Sequence, residues 1–205
     1  MRQKEYSLLH NWNTIIISVM VVSILTLCVL YLPGIRDFDS TILNAIRRAL
    51  SPFPAHIAAF ISEFGRAQHL LWPQITVCSV LVSHQKYLKA FIFVLMVQMT
   101  YFTTGLIKDF VCRERPSNCY SGYSFPSGHS STTMCFCGIL IYLILKYVRN
   151  DLLRYTLAAC AGLYIIIVAL SRMMLNVHFP TDILSGLFLG LIFVNLYIIL
   201  DKTLN

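Results

Sequence analysis

The chain has 205 residues, 57% of them hydrophobic and 12% charged, with a formal charge of +7. A soluble domain carries about 25% charged residues, so an ordinary water-soluble globule is excluded. Nucleic acid is not the expected partner of the positive charge, because no basic patch is interleaved with exposed aromatics. Beside apolar spans, positive charge suits anionic lipid.

The charges are clustered and leave long neutral runs. Residues 6–35, 67–85, 90–107, 155–171 and 183–200 carry no Asp, Glu, Lys or Arg, and a further neutral run within 116–145 turns apolar near Ser130. A spanning helix needs roughly 17–25 mostly apolar residues. An all-α, six-helix integral membrane bundle is therefore expected, forming a single domain over 1–205. Its spans are placed at about 13–32, 67–83, 90–107, 129–145, 155–172 and 180–200.

The first span is entered through Trp12 and left through Tyr31, residue types favoured at the interface, and Pro33-Gly34 ends it. Its apolar run is too long for a signal core and lacks a small-x-small cleavage site, so it reads as retained. Residues 38–50 read as a short amphipathic helix on the membrane surface, capped by Asp39 or Ser40. Ile42, Leu43, Ile46 and Leu50 lie on one side of it, with Arg47 and Arg48 on the other. Residues 55–64 are apolar but too short to cross, which makes them interfacial or re-entrant. In the second span Pro73 marks a potential kink.

Lys and Arg in the loops set orientation. With the N-terminus inside, each face holds eight such residues. Three of the outer set, Lys108, Arg115 and Arg172, belong to a candidate site. Setting them aside leaves the excess inside, so both termini are expected in the cytoplasm.

The same topology gathers three distant fragments at one membrane face. Lys108 follows the third span and precedes Arg115-Pro116; Pro126-Ser127-Gly128-His129 opens the fourth; Ser171-Arg172 closes the fifth, with His178 and Asp182 leading into the sixth. Ionisable groups at membrane depth are costly and usually functional. Arginine presents a planar fork that matches phosphate oxygens in pairs, and lysine adds a compact charge. Three such cations would neutralise a phosphoryl dianion and the charge developed during transfer.

Pro-Ser-Gly-His before an apolar run marks a helix entrance, where unpaired N–H groups form an anion site. Ser127 can cap that helix or donate to an oxygen, and Gly128 allows close approach of the ligand. His129 stands at the helix mouth, beside the expected leaving group. His178 and Asp182 are four residues apart and share a helix face. A carboxylate on one ring nitrogen fixes the tautomer and leaves the other free to attack. A metal centre is not expected: Asp109, Glu114 and Asp182 form no ligand cluster, and three adjacent cations would repel a divalent ion.

On these three fragments the chain resembles the type 2 phosphatidic acid phosphatase superfamily of membrane lipid-phosphate phosphatases. Gly186 fits the family's usual small residue, and Asn176 stands where glycine is frequent. The resemblance implies a metal-independent hydrolase without cofactor. In it His178 forms a phosphohistidine with help from Asp182, and His129 protonates the leaving oxygen and later activates water. Lys108, Arg115, Arg172, Ser127 and the Gly128 amide would hold the phosphoryl group.

Expected partners are a lipid phosphate and the bilayer of a bacterial cytoplasmic membrane, with the site on the outer, periplasmic face. Undecaprenyl diphosphate is the favoured substrate, with overlap onto phosphatidylglycerol phosphate and phosphatidic acid. A lipid A phosphatase, a lipid-to-lipid phosphotransferase and a non-enzymatic anion-binding protein are the alternatives. Five of the seven cysteines fall in spans as packing residues. Cys112 and Cys119 bracket Arg115, either as a disulfide rigidifying the outer loop or as two free thiols.

Overall fold

The computed structural model describes residues 2–64, 69–117 and 121–204, with side chains from residue 8 onward in the first stretch and to residue 63 at its end. The described residues form eight helices and no strand: α1 (Arg2–Tyr31), α2 (Ile35–Ala49), α3 (Ala55–Phe64), α4 (Leu71–Ser83), α5 (Tyr87–Val111), α6 (Gly128–Tyr147), α7 (Asp151–Met174) and α8 (Pro180–Thr203). Five are long and apolar enough to cross a bilayer: α1 over Leu8–Tyr31, and α5, α6, α7 and α8 over their full lengths. Each extends its expected span by a few residues at one or both ends.

The sixth expected span, 67–83, is not confirmed: it begins outside the described residues, and the part that is described forms a single helix. Its helix α4 has 13 residues, about 20 Å at 1.5 Å per residue, against a hydrocarbon core of about 30 Å. Pro73 is the third residue of α4, where the missing N–H costs no helical hydrogen bond. It starts the helix rather than kinking it.

A central helix, α6, packs on α5, α7 and α8, and α1 lies along α8. Phe93, Cys135, Phe136, Ile139 and Val194 fill the core between α5, α6 and α8. Apolar residues also face outward, among them Trp72, Phe91, Phe110, Leu152 and Ile166, as lipid contact requires.

The α6–α8 crossing rests on small residues. A Cβ at Gly186 would stand 2.5 Å from the Ser127 carbonyl oxygen, and one at Gly190 2.5 Å from that of Ser131. With three residues between them, these glycines form the spacing that lets membrane helices touch backbone to backbone.

The surface-helix expectation for 38–50 needs correction in two respects. The helix begins at Ile35 with Gly34, in a left-handed conformation at φ 83°, as its cap. Asp39 lies inside it, fully buried, and α2 packs on α7 and α8. The 55–64 segment forms α3, which packs on α7.

Candidate active site

Four helix ends and two connecting segments converge. Lys108 lies in the last turn of α5, His129 in the first turn of α6, Arg172 in the last turn of α7, and Asp182 in the first turn of α8. Arg115 comes from the segment after α5, and His178 from the link between α7 and α8. That link reverses direction at Asn176, whose φ of 57° is left-handed, a conformation asparagine tolerates.

His178 is 2% exposed. Its Nδ1 lies 3.5 Å from Asp182 Oδ2, and its Nε2 lies 3.3 Å from Arg115 Nη1. Burial pushes its pKa down to about 4, which Asp182 opposes and the Lys108 and Arg115 cations reinforce. The imidazole is therefore neutral at physiological pH. With Nδ1–H directed to Asp182, the Nε2 lone pair faces the cations.

Asp182 is held on three sides. Its Oδ2 accepts the Phe179 N–H at 2.8 Å, half of a capping box at the start of α8. Its Oδ1 accepts from Arg113 Nη1 at 2.7 Å, and its backbone carbonyl accepts the Ser127 N–H at 2.9 Å. This last bond, with the Gly186 crossing, fixes the start of α6 against the start of α8.

Backbone carbonyls position two of the cations. Lys108 Nζ donates to Tyr123 O at 2.6 Å and Ser124 O at 3.3 Å. Arg115 donates through Nε to Gly122 O at 3.0 Å and through Nη1 to Val177 O at 3.1 Å. Gly122 has φ 80°, a turn natural to glycine, which brings its carbonyl to Arg115. The third cation, Arg172, is 5% exposed and donates through Nη1 to Ser62 Oγ of α3.

Ser127 acts as the N-cap of α6. Its fully buried Oγ accepts from the Ser130 N–H at 3.4 Å and the Ser130 hydroxyl at 3.0 Å. Gly128 is less crowded than Gly186: a Cβ there would meet Thr104 Cγ2 at an ordinary 3.7 Å. His129 is half-buried beside it. Among the described residues no three His, Cys, Asp or Glu side chains come together as a metal-ligand set. Cys112 is exposed at the end of α5, and Cys119 lies outside the described residues.

Sequence reasoning missed Arg113 and Asp39. Arg113 Nη2 lies 2.6 Å from Asp39 Oδ2, while its Nη1 bonds Asp182 and, at 2.8 Å, Thr181 Oγ1. Its guanidinium carbon stands 4.2 Å from the centroid of the Phe179 ring. Asp39 also accepts from Thr181 Oγ1 at 2.5 Å and from its N–H at 3.3 Å. One buried arginine thus bridges two buried carboxylates directly behind His178.

A chain whose described residues are all-helical, with five helices long and apolar enough to cross a bilayer, is an integral membrane protein. The PAP2 superfamily model matches residues 89–205. The chain belongs to that family of membrane lipid phosphatases.

Its relatives include a phosphatidylglycerophosphatase B of Bacillus subtilis (strain 168), 23% identical over 184 residues that cover 86% of this chain and 89% of the relative. A lipid A 1-phosphatase of Rhizobium etli is 31% identical over 100 residues, covering 42% and 39% respectively. The fold is similar to the crystal structure of a transmembrane PAP2 type phosphatidylglycerolphosphate phosphatase from Bacillus subtilis. That match has a TM-score of 0.81 at 22% identity and covers 95% of this chain and 97% of the other.

Proposed function

We propose that this chain hydrolyses a terminal phosphate from a membrane lipid through a phosphohistidine on His178, without a metal ion. The observation that carries the reading is the neutral, buried imidazole set between Asp182 and Arg115. In this reading Nε2 attacks phosphorus in line with the lipid oxygen. Asp182, 3.5 Å from Nδ1, stabilises the cation that forms on the ring. Lys108, Arg115 and Arg172 neutralise the three equatorial oxygens, and the free amides at the start of α6 around Gly128 add dipolar donors. Ser127 serves by capping that helix start. His129 gives its proton to the departing lipid oxygen, then takes one from the water that cleaves the phosphorus–nitrogen bond.

Phosphatidylglycerol phosphate is the first substrate to test, because the relative that matches along most of the chain is named for it. Undecaprenyl diphosphate, phosphatidic acid and lipid A 1-phosphate complete the panel. The site is read as opening on the outer, periplasmic face of a cytoplasmic membrane, which the loop charges favour once the site's own cations are set aside.

The test measures phosphate release by purified protein from each lipid, with chelator and without acceptor lipid. His178→Ala is expected to lose at least about 10³-fold, since removing a nucleophile leaves only binding and electrostatic catalysis. Turnover retained in His178→Ala would refute the mechanism. Phosphate that appears only when a second lipid is supplied would make the protein a transferase.

A further inference from the structure

The opposite end of the bundle holds a second polar cluster that the proposed reaction does not use. The start of α5 and the last turns of α8 border a half-open cavity of about 360 Å³, whose lining includes Lys86, Lys89, Ile92, Tyr197, Asp201 and Leu204. It is separated from Lys108 by nearly the length of α5, about 30 Å at 1.5 Å per residue.

The charges there do not balance. Asp201 is buried and pairs with Lys89 Nζ at 2.8 Å and with Lys146, while Tyr142 Oη donates to the same carboxylate at 2.6 Å. Lys86 has no carboxylate partner among the described residues, and its Nζ stands 3.4 Å above the Tyr147 ring. Lys202, one residue past Asp201, donates to Asn11 Oδ1 at 2.9 Å. Among the described residues, Lys86, Lys89 and Lys146 against Asp201 leave a surplus of two positive charges before Lys202 is counted.

Two further observations point to an anion. No side chain caps the N-terminus of α5, so the amides of its first turn add their partial positive charge to that of the lysines. Tyr197, on the cavity wall, is 1% exposed, yet its hydroxyl has no hydrogen-bond partner among the described residues. Buried hydroxyls are normally paired. Tyr87, Leu88 and Leu204 also line the cavity and are exposed and apolar, which suits acyl chains rather than bulk water.

We propose that this cavity binds the phosphate of an anionic phospholipid in the leaflet opposite the candidate active site. Lys86 and Lys89 supply the charge, the first-turn amides of α5 donate, and the Tyr197 hydroxyl completes the shell. Asp201 is neutralised in advance by Lys89 and Lys146, so it does not repel the ligand. The site orders a lipid and carries out no chemistry on it, and it is independent of the catalytic reading.

The test is lipid retention by the purified full-length protein in native mass spectrometry, with phosphatidylglycerol titrated against phosphatidylcholine. Wild type is expected to keep one phosphatidylglycerol in preference. Lys86→Gln, which breaks no ion pair, and Tyr197→Phe, which removes only a hydroxyl, should each weaken retention. For Lys86→Gln the loss should be about tenfold, as for one charge-assisted hydrogen bond. Arg115→Gln, at the other face, should retain the lipid as wild type does. Unchanged retention in both cavity variants, or equal retention of phosphatidylcholine, would overturn the proposal. Displacement of the lipid by millimolar inorganic phosphate would also overturn it, because the ligand would then be a soluble anion.

Discussion

Arg113→Gln removes the single cation between Asp39 and Asp182 while keeping much of the side chain's length. The arginine is 8% exposed and both carboxylates are 0% exposed, at 2.6 and 2.7 Å from its two terminal nitrogens. Breaking one buried ion pair by removing a partner costs about 3–5 kcal/mol. Here two carboxylates would lose their partner together, so the upper half of that range is expected.

Asp39→Asn in the Arg113→Gln background removes one of the stranded charges and should recover about 2 kcal/mol. Stability is read from thermal or denaturant unfolding in detergent as a double-mutant cycle, with kcat measured on the same preparations. kcat should fall in Arg113→Gln because Asp182 then lacks the bond that holds it toward His178. Strict additivity of the two substitutions, or a stable Arg113→Gln with wild-type kcat, would refute the reasoning.

Gly186→Ala would place a methyl group 2.5 Å from the Ser127 carbonyl. It should destabilise by about 1–3 kcal/mol as overpacking and lower kcat more than it raises KM, as steady-state kinetics would reveal. Gly128→Ala, with 3.7 Å of room, should fold as wild type and lose activity through KM, if a phosphoryl group approaches that backbone. Stability should fall as pH drops from about 6.5 towards 4, because the unfolded His178 gains a proton that the folded one, with its pKa near 4, refuses. The full difference is about 3 kcal/mol, and unfolding curves across that window should lose this slope in His178→Asn.

The motif residues were legible because their chemistry is conspicuous in an apolar chain and because span order alone puts their helix ends on one face. Asp39 was legible too, but misjudged. It stands four residues before Leu43 and seven before Ile46, on the apolar stripe of its helix, and an acid there signals a buried partner rather than a cap. Arg113 carries no local signal at all: its partners lie 74 and 69 residues away.

The family match begins at residue 89, but the folding unit does not. Asp39 makes one of the two ion pairs of Arg113, Ser62 holds Arg172, and Asn11 bonds Asn195 at 2.8 Å. Each ties a helix upstream of the matched region to a residue inside it. The second and third helices are therefore structural parts of the site, and the first is bonded to α8 toward its other end rather than being an appended membrane anchor. A graft that moved residues 89–205 onto a foreign leader would carry over all the motif residues and still leave Arg113 without the Asp39 bond that fixes its second terminal nitrogen.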